Sequence, residues 1–462
     1  MDRGVESSGN AAIEMGIVRI DNNSACVVYA SKYEKEYPFL ARLVSGGIRC
    51  LQFYDGILYF LDPNKGFCSL DVTSNVLKVL LPIDGLNNQD SSCLQGGLIV
   101  DDGRVYYVVE AQNFSEGDSG LQLHSITTAG QNASIEAILE DSHYTLEHDG
   151  SDGLSFSSSL LADYPFYLRD GCVWWEARWL YGDIRSSEWE YSHDMWTDQL
   201  NRLQLDGNQC ITLFTTNNAF RNRPGFYSTS NEPPQPFVER FVDMWLPTEG
   251  GILICLSEQS YDFLIDERSD DDPVSGTVLY REIETARTTR LILRSDTGRE
   301  TVLFESDEQY ISTFCADDRF VYLATEEYDS ESWNGSISRR SVVFEIVMSG
   351  GTQKIISGQS SILRIDMTNG KQETILKLSD VLEQNDDDTD LSANNATVAW
   401  MQVLGDRLVF MPANKERSIG LQDAGYTYLV ASVDLEGNDY RSIRSNLCME
   451  SPLKWTGKAE ES

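Results

Sequence analysis

One pattern recurs along the chain: a tight acidic turn that runs straight into an apolar and aromatic strand. Its copies include Tyr54-Asp-Gly-Ile-Leu-Tyr-Phe60, Asp101-Asp-Gly-Arg-Val-Tyr-Tyr107 and Arg169-Asp-Gly-Cys-Val-Trp-Trp175. Thr248-Glu-Gly-Gly-Ile-Leu-Ile254, Asp317-Asp-Arg-Phe-Val-Tyr322 and Gly405-Asp-Arg-Leu-Val-Phe410 continue the series, and Asp21-Asn-Asn-Ser-Ala-Cys-Val-Val-Tyr29 is a degenerate copy. Asp-Gly between alternating apolar residues is a strong hairpin signal, because both central positions of the tight turn need positive φ.

A second hairpin follows each of these. Leu200-Asn-Arg-Leu-Gln-Leu-Asp-Gly-Asn-Gln-Cys-Ile-Thr-Leu213 and Ile362-Leu-Arg-Ile-Asp-Met-Thr-Asn-Gly-Lys-Gln-Glu-Thr-Ile-Leu376 are the clearest copies. Two hairpins make four antiparallel strands, which is one blade of a β-propeller, so the expected fold is an all-β propeller. The repeats lie near 17–46, 47–82, 94–140, 158–214, 236–306, 308–379 and 397–445. Seven blades are therefore expected, with six and eight as the alternatives. Residues 1–16 read as a flexible N-terminal segment. The first repeat has no clear fourth strand, and residues 446–462 are the candidate to close the ring.

The hairpins resemble those of YWTD-type and TolB-like propellers. The resemblance is closer to a bacterial family of uncharacterised proteins whose propeller is similar to that of the prolow-density lipoprotein receptor. It rests on Asp102-Gly-Arg-Val-Tyr-Tyr107 and on Leu363-Arg-Ile-Asp366 with Asn369-Gly370, and extends from about residue 17 to 445. The YWTD tetrapeptide itself is absent. The resemblance implies a noncatalytic binding scaffold, extracytoplasmic in its relatives, and carries no active-site residues across.

The chain holds 36 Lys and Arg against 73 Asp and Glu, a net charge of −37. A phosphate-tracking surface needs clustered basic residues, so no nucleic-acid partner is expected, and an anionic membrane surface would repel this chain. No apolar run is long enough to span a bilayer, so no membrane insertion is expected. Residues 1–16 carry no apolar h-region, so no signal peptide is expected in the sequence, and the compartment stays open. The nine cysteines show no paired spacing and alternate into apolar segments, as expected of core thiols.

Insertions collect on one rim of the expected blades, in the connections between second and third strands and between blades. Such clustering usually builds a binding surface. The richest insertion, between Glu176 and Asp198, brings together Trp179, Tyr181, Trp189, Tyr191, His193 and Trp196. Flat apolar faces with a polar handle suit a protein, a peptide or a glycan, so these six residues are the candidate ligand contacts. Trp174 and Trp175 sit on a strand and alternate faces, which assigns at least one of them to the core between blades.

Motifs for other chemistry are missing: there is no GxSxG, HExxH, GxxxxGK[ST] or GxGxxG after a strand. His143, His148 and His193 fall in segments that could approach one another, but solvated surface histidines are the commoner case, so no metal and no cofactor are expected. The acidic runs at 270–272 and 386–390 fail the calcium-loop pattern, since Leu391 and Thr397 stand where Gly and Glu are needed. Sequons occur at Asn22, Asn113, Asn132, Asn334 and Asn395. The expected function is thus a noncatalytic ligand- or protein-binding propeller. The alternative is a glycoside hydrolase or lyase on the same scaffold, using carboxylates at the channel mouth.

Overall fold

The computed structural model describes residues 13–21, 24–33, 49–62, 65–82, 92–113, 118–141, 154–158, 166–183, 195–207, 209–216, 227–230, 236–265, 278–327, 360–382, 396–414 and 428–445. These fall into two compact units. The first opens with a two-stranded sheet, β1 (Ile13–Asp21) and β2 (Ser24–Tyr33). Blade one follows as β3 (Arg49–Tyr54), β4 (Ile57–Asp62), β5 (Gly66–Asp71) and β6 (Val76–Pro82). Blade two is β7 (Ser92–Asp101), β8 (Arg104–Asn113), β9 (Asp118–Thr127) and β10 (Ser134–Asp141). Blade three is β11 (Leu154–Ser158), β12 (Phe166–Arg169), β13 (Cys172–Asp183), β14 (Met195–Gln204) and β15 (Gln209–Thr215).

The second unit begins with blade four: β16 (Tyr227–Ser230), β17 (Phe237–Thr248), β18 (Gly251–Ile265), β19 (Val278–Ser295) and β20 (Glu300–Ser306). Blade five is β21 (Gln309–Ala316), β22 (Phe320–Glu327), β23 (Ser361–Asp366) and β24 (Gln372–Lys377), followed by a short helix α1 (Leu378–Leu382). Blade six is β25 (Ala396–Leu404), β26 (Arg407–Asn414), β27 (Tyr428–Asp434) and β28 (Arg441–Ser445). Every described strand pair is antiparallel, and each blade is built on four strands in sequence order.

The chain is thus an all-β propeller with six blades of four antiparallel strands, which corrects the expectation of seven. Among the described residues the first repeat supplies the hairpin β1–β2, and its sequence after Tyr33 holds no second Asp-Gly or Asn-Gly turn. Of the expected flexible start 1–16, residues 13–16 begin β1 and 1–12 lie outside the described residues, as does the expected ring-closing segment 446–462.

The turns behave as their residues dictate. Asp55 and Gly56, Asp102 and Gly103, and Asp170 and Gly171 all have positive φ, the backbone that lets a two-residue turn match the twist of its strands. The second strands β4 and β22 are buried nearly throughout, because a neighbour covers each face, whereas the outermost β6 is largely exposed. In the first unit, Tyr59, Leu61, Phe67, Leu98, Val105 and Tyr107 fill the space between blades one and two. Trp175 joins Val108, Leu123 and Leu203 between blades two and three. In the second unit, Leu253, Leu291, Val321 and Leu323 pack blades four and five together, and Tyr322, Ile362, Val398 and Phe410 pack five against six.

Candidate functional site

The connections between second and third strands lie at one end of each blade, and there blades three and four depart from the plain four-stranded plan. In blade one the pairing of β4 with β5 stops at Asp62–Gly66. In blade three β13 and β14 stay paired as far as Tyr181–Met195, past the last pair of β14 with β15 at Gln199–Thr215. In blade four β18 and β19 stay paired to Ile265–Tyr280, well past the last pair of β19 with β20 at Thr289–Ser306. Added edge strands flank both projections: β11 pairs along Trp179–Asp183 of β13, and β16 along Val278–Arg281 of β19. The expected connection from Glu176 to Asp198 is therefore strand over much of its length. The aromatic residues Trp179, Tyr181 and Trp196 favour that ladder over a loop.

This placement spreads the candidate contacts. Trp179 pairs with Thr197 and Tyr181 with Met195, at alternate positions of β13. Trp196 pairs with Leu180, and so takes the other face of the hairpin. Trp189, Tyr191 and His193 lie outside the described residues, as do His143, His148 and the acidic runs 270–272 and 386–390. Both strand tryptophans are buried: Trp175 in the core between blades two and three, and Trp174 on the opposite face, with the Arg202 guanidinium 5.0 Å from its ring.

The same end of the blades carries carboxylates that the sequence did not single out. Asp62, Glu110, Glu176, Glu258 and Glu326 stand on the second strands of blades one to five, and blade six has Asn414 there. Asp62, Glu176 and Glu326 are buried. The Asp62 carboxylate accepts from the Tyr29 hydroxyl of β2, from Lys65 Nζ at 3.3 Å and from the Lys65 backbone N–H at 3.2 Å. The two oxygens of Glu326 accept one hydroxyl each, from Tyr310 of β21 and from Thr397 of β25 in the next blade. Beside it the Ser360 hydroxyl donates to the Ala396 carbonyl at 2.9 Å.

Glu258 belongs to an ionic row that crosses blade four. Arg240 Nε lies 2.8 Å from Glu258, Arg290 Nη1 3.4 Å from the same carboxylate, and Arg290 Nε 3.1 Å from Glu305. The hydrogen bond that Arg290 donates to Glu305 raises the arginine pKa, helped by the charges of Glu258 and Glu305. Where the projection leaves the blade, Phe237 and Tyr261 stack with centroids 4.9 Å apart and planes at 16°, and the Tyr261 hydroxyl donates to Gln259 at 2.7 Å.

Among the described residues no group of three or more His, Cys, Asp or Glu is placed to hold a metal ion. Cys68, Cys172, Cys255 and Cys315 are buried, and Cys210 is exposed. Among the described residues no helix is long and apolar enough to cross a membrane.

No protein-family model and no curated protein matches the chain. Solved structures do. An acylaminoacyl peptidase of Pyrococcus horikoshii is similar at 9% identity and a TM-score of 0.40, over 86% of this chain and 46% of the peptidase. The chain thus spans less than half of that protein. A putative TolB from Agrobacterium tumefaciens is similar at 11% identity and a TM-score of 0.31, over 86% of this chain and 89% of that one. The β-propeller domain of the trilobed protease from Pyrococcus furiosus is similar at 8% identity and a TM-score of 0.27, over 77% and 84% of the two chains.

Proposed function

We propose that the protein is a noncatalytic binding module and that the projecting hairpin β13–β14 of blade three presents its contact residues to a protein, peptide or glycan. The observation that carries this reading is the continued pairing of β13 with β14 beyond the blade, stiffened along one edge by β11. A paired ladder holds side chains in place before a ligand arrives, so less ordering entropy is lost on binding than from a loop. Trp179, Tyr181 and Trp196 are the described candidates on it, with Trp189, Tyr191 and His193 on the connection between the strands.

A binder is favoured over a hydrolase by how two of the described carboxylates, Glu326 and Asp62, are engaged. Both oxygens of Glu326 are taken by hydroxyl donors, and Asp62 is wholly buried between a phenol and an ammonium. A general acid or base must instead reach a reacting proton.

The test is a melting-temperature screen of the purified chain against glycans and peptides, with each positive also assayed for turnover. A ligand that binds only the folded state adds about 2.7 kcal/mol at a hundredfold excess over its Kd. Binding without turnover, weakened about tenfold or more by Trp196→Ala or Trp179→Ala, is the expected result, since truncating an aromatic anchor commonly costs about 2 kcal/mol or more. Turnover of a bound glycan, lost on neutralising a single carboxylate, would overturn it.

A further inference from the structure

Where β11 lies along β13, the projection of blade three is a three-stranded sheet, and its two faces are unlike. Directly paired residues share a face, and so do alternate residues along one strand. The register sets Phe156 of β11, Tyr181 of β13 and Met195 of β14 in one row across the sheet. On the same face Ser158, Trp179 and Thr197 form the row to one side of it, and Leu154 with Asp183 the row to the other. The opposite face carries Ser157, Leu180 and Trp196 in one row and Ser155 with Gly182 in another. The projection of blade four is not sorted in this way: its rows are Ser228, Tyr280 and Ile265 on one face and Tyr227, Arg281 and Leu264 on the other.

We propose that the face holding Phe156, Trp179, Tyr181 and Met195 seats an extended peptide segment with apolar side chains at alternate positions and Lys or Arg between them. The proposal rests on reading the hairpin β13–β14 as the binding element, and adds Phe156 and Met195 to its contacts. Spacing is the first argument. Rows on the face repeat every second residue, about 7 Å, which is also the repeat of same-side side chains along an extended peptide, so each row can take one of them. Chemistry is the second. In the central row only Tyr181 carries a hydroxyl, whereas a glycan brings many hydroxyls that cost free energy when covered without partners. Aromatic residues and Met are instead the types enriched at the centre of protein interfaces. Charge is the third: Asp183 ends the face, and a chain of net charge −37 draws a basic partner. The added strand β11 then has a purpose, since it supplies Phe156 and widens the face from two strands to three, about 10 Å across.

The full chain is titrated against three labelled twelve-residue peptides, alternating Leu with Lys, Leu with Glu and Ser with Lys. Binding is read by fluorescence anisotropy at about 0.15 M salt, where charge alone acts over only about 8 Å. The Leu–Lys peptide is expected to bind about tenfold or more tighter than either of the others. Phe156→Ala is expected to weaken it about tenfold and to leave the weak Ser–Lys affinity in place. Should that variant fail to fold, Met195→Ala, in the same row on the far strand, decides in its stead. Absent binding of the Leu–Lys peptide, equal affinity for Leu–Lys and Ser–Lys, or an affinity untouched by Phe156→Ala would overturn the proposal. A glycan or peptide weakened by Trp179→Ala but not by Phe156→Ala would overturn it and leave the binding hairpin standing. A bound ligand indifferent to both substitutions would overturn the two together.

Discussion

Arg364 of blade five donates through Nη1 to the main-chain oxygen of Leu435, in the last turn of blade six, at 2.7 Å. Its guanidinium also reaches Glu436 at 2.9 Å and Glu373 of its own blade at 2.7 Å, and lies 4.8 Å from the Phe320 ring. One planar fork thus holds two neighbouring blades in register at the turn between the third and fourth strands of blade six. The Glu436 and Glu373 hydrogen bonds raise its pKa, so it stays charged at any working pH. Replacing it with Met is expected to cost about 1.5–3 kcal/mol, the usual worth of hydrogen bonds to a charged group. Lys is expected to recover little, because a point charge cannot serve three directions at once. Urea midpoints of the three proteins check this.

Gly437 and Gly370 make a controlled pair. Both sit in the turn between third and fourth strands with positive φ, 87° and 71°. A Cβ at Gly370 would meet open space, whereas one at Gly437 would run into the main-chain oxygen of Ile375 on the neighbouring blade. Gly370→Ala is expected to cost about 1–2 kcal/mol, the price of left-handed backbone alone. Gly437→Ala is expected to cost clearly more and to loosen blade six against blade five. Equal losses in chemical denaturation would show that the turn relaxes away from its neighbour.

The Asp-Gly turns were legible because they are local: Asp102 and Gly103 need no distant partner to adopt positive φ. Four-stranded blades follow from them by simple alternation. Less legible was the fate of the inserted stretches. Whether 176–198 loops out or runs on as β13 and β14 depends on cross-strand register, which no single strand encodes. The buried carboxylates were hidden for a related reason. Asp62 is recognisable only beside Tyr29, 33 positions earlier, and Glu326 only beside Thr397, 71 positions later. Among 73 acidic residues neither carries a local mark.

Glu326 tests whether such a carboxylate is structural. Glu326→Gln keeps one acceptor but aims an amide N–H₂ at a hydroxyl that had been donating, from Tyr310 or Thr397. Glu326→Ala leaves both hydroxyls without their acceptor. The alanine variant is expected to lose about 2–5 kcal/mol and the glutamine variant about half of that, since an unsatisfied buried donor costs about 1–3 kcal/mol. If the residue serves chemistry instead, Glu326→Gln should leave the urea midpoint in place.

Acid sensitivity has a definite sign here. The Thr368 hydroxyl, followed by Arg319 and the Thr368 backbone N–H, holds the Asp366 carboxyl well below its ordinary value of 3.8. Arg364 lowers Glu436, and Arg441 with Arg407 lowers Asp439. In each case the unfolded chain takes up its proton at a higher pH than the folded one. The stabilisation is therefore fully present above the ordinary carboxylate range, at about pH 5 and higher, and drains away as pH falls through that range towards the lowered folded values. The urea midpoint is expected to be flat from pH 7 to about 5 and to drop steeply below about 4. Asp366→Asn should lower the midpoint at pH 7 and make the acid decline shallower, because one of the groups driving it is gone. An unchanged slope between pH 5 and 3 would mean that the hydrogen bonds of Asp366 with Thr368 and Arg319 do not form in solution.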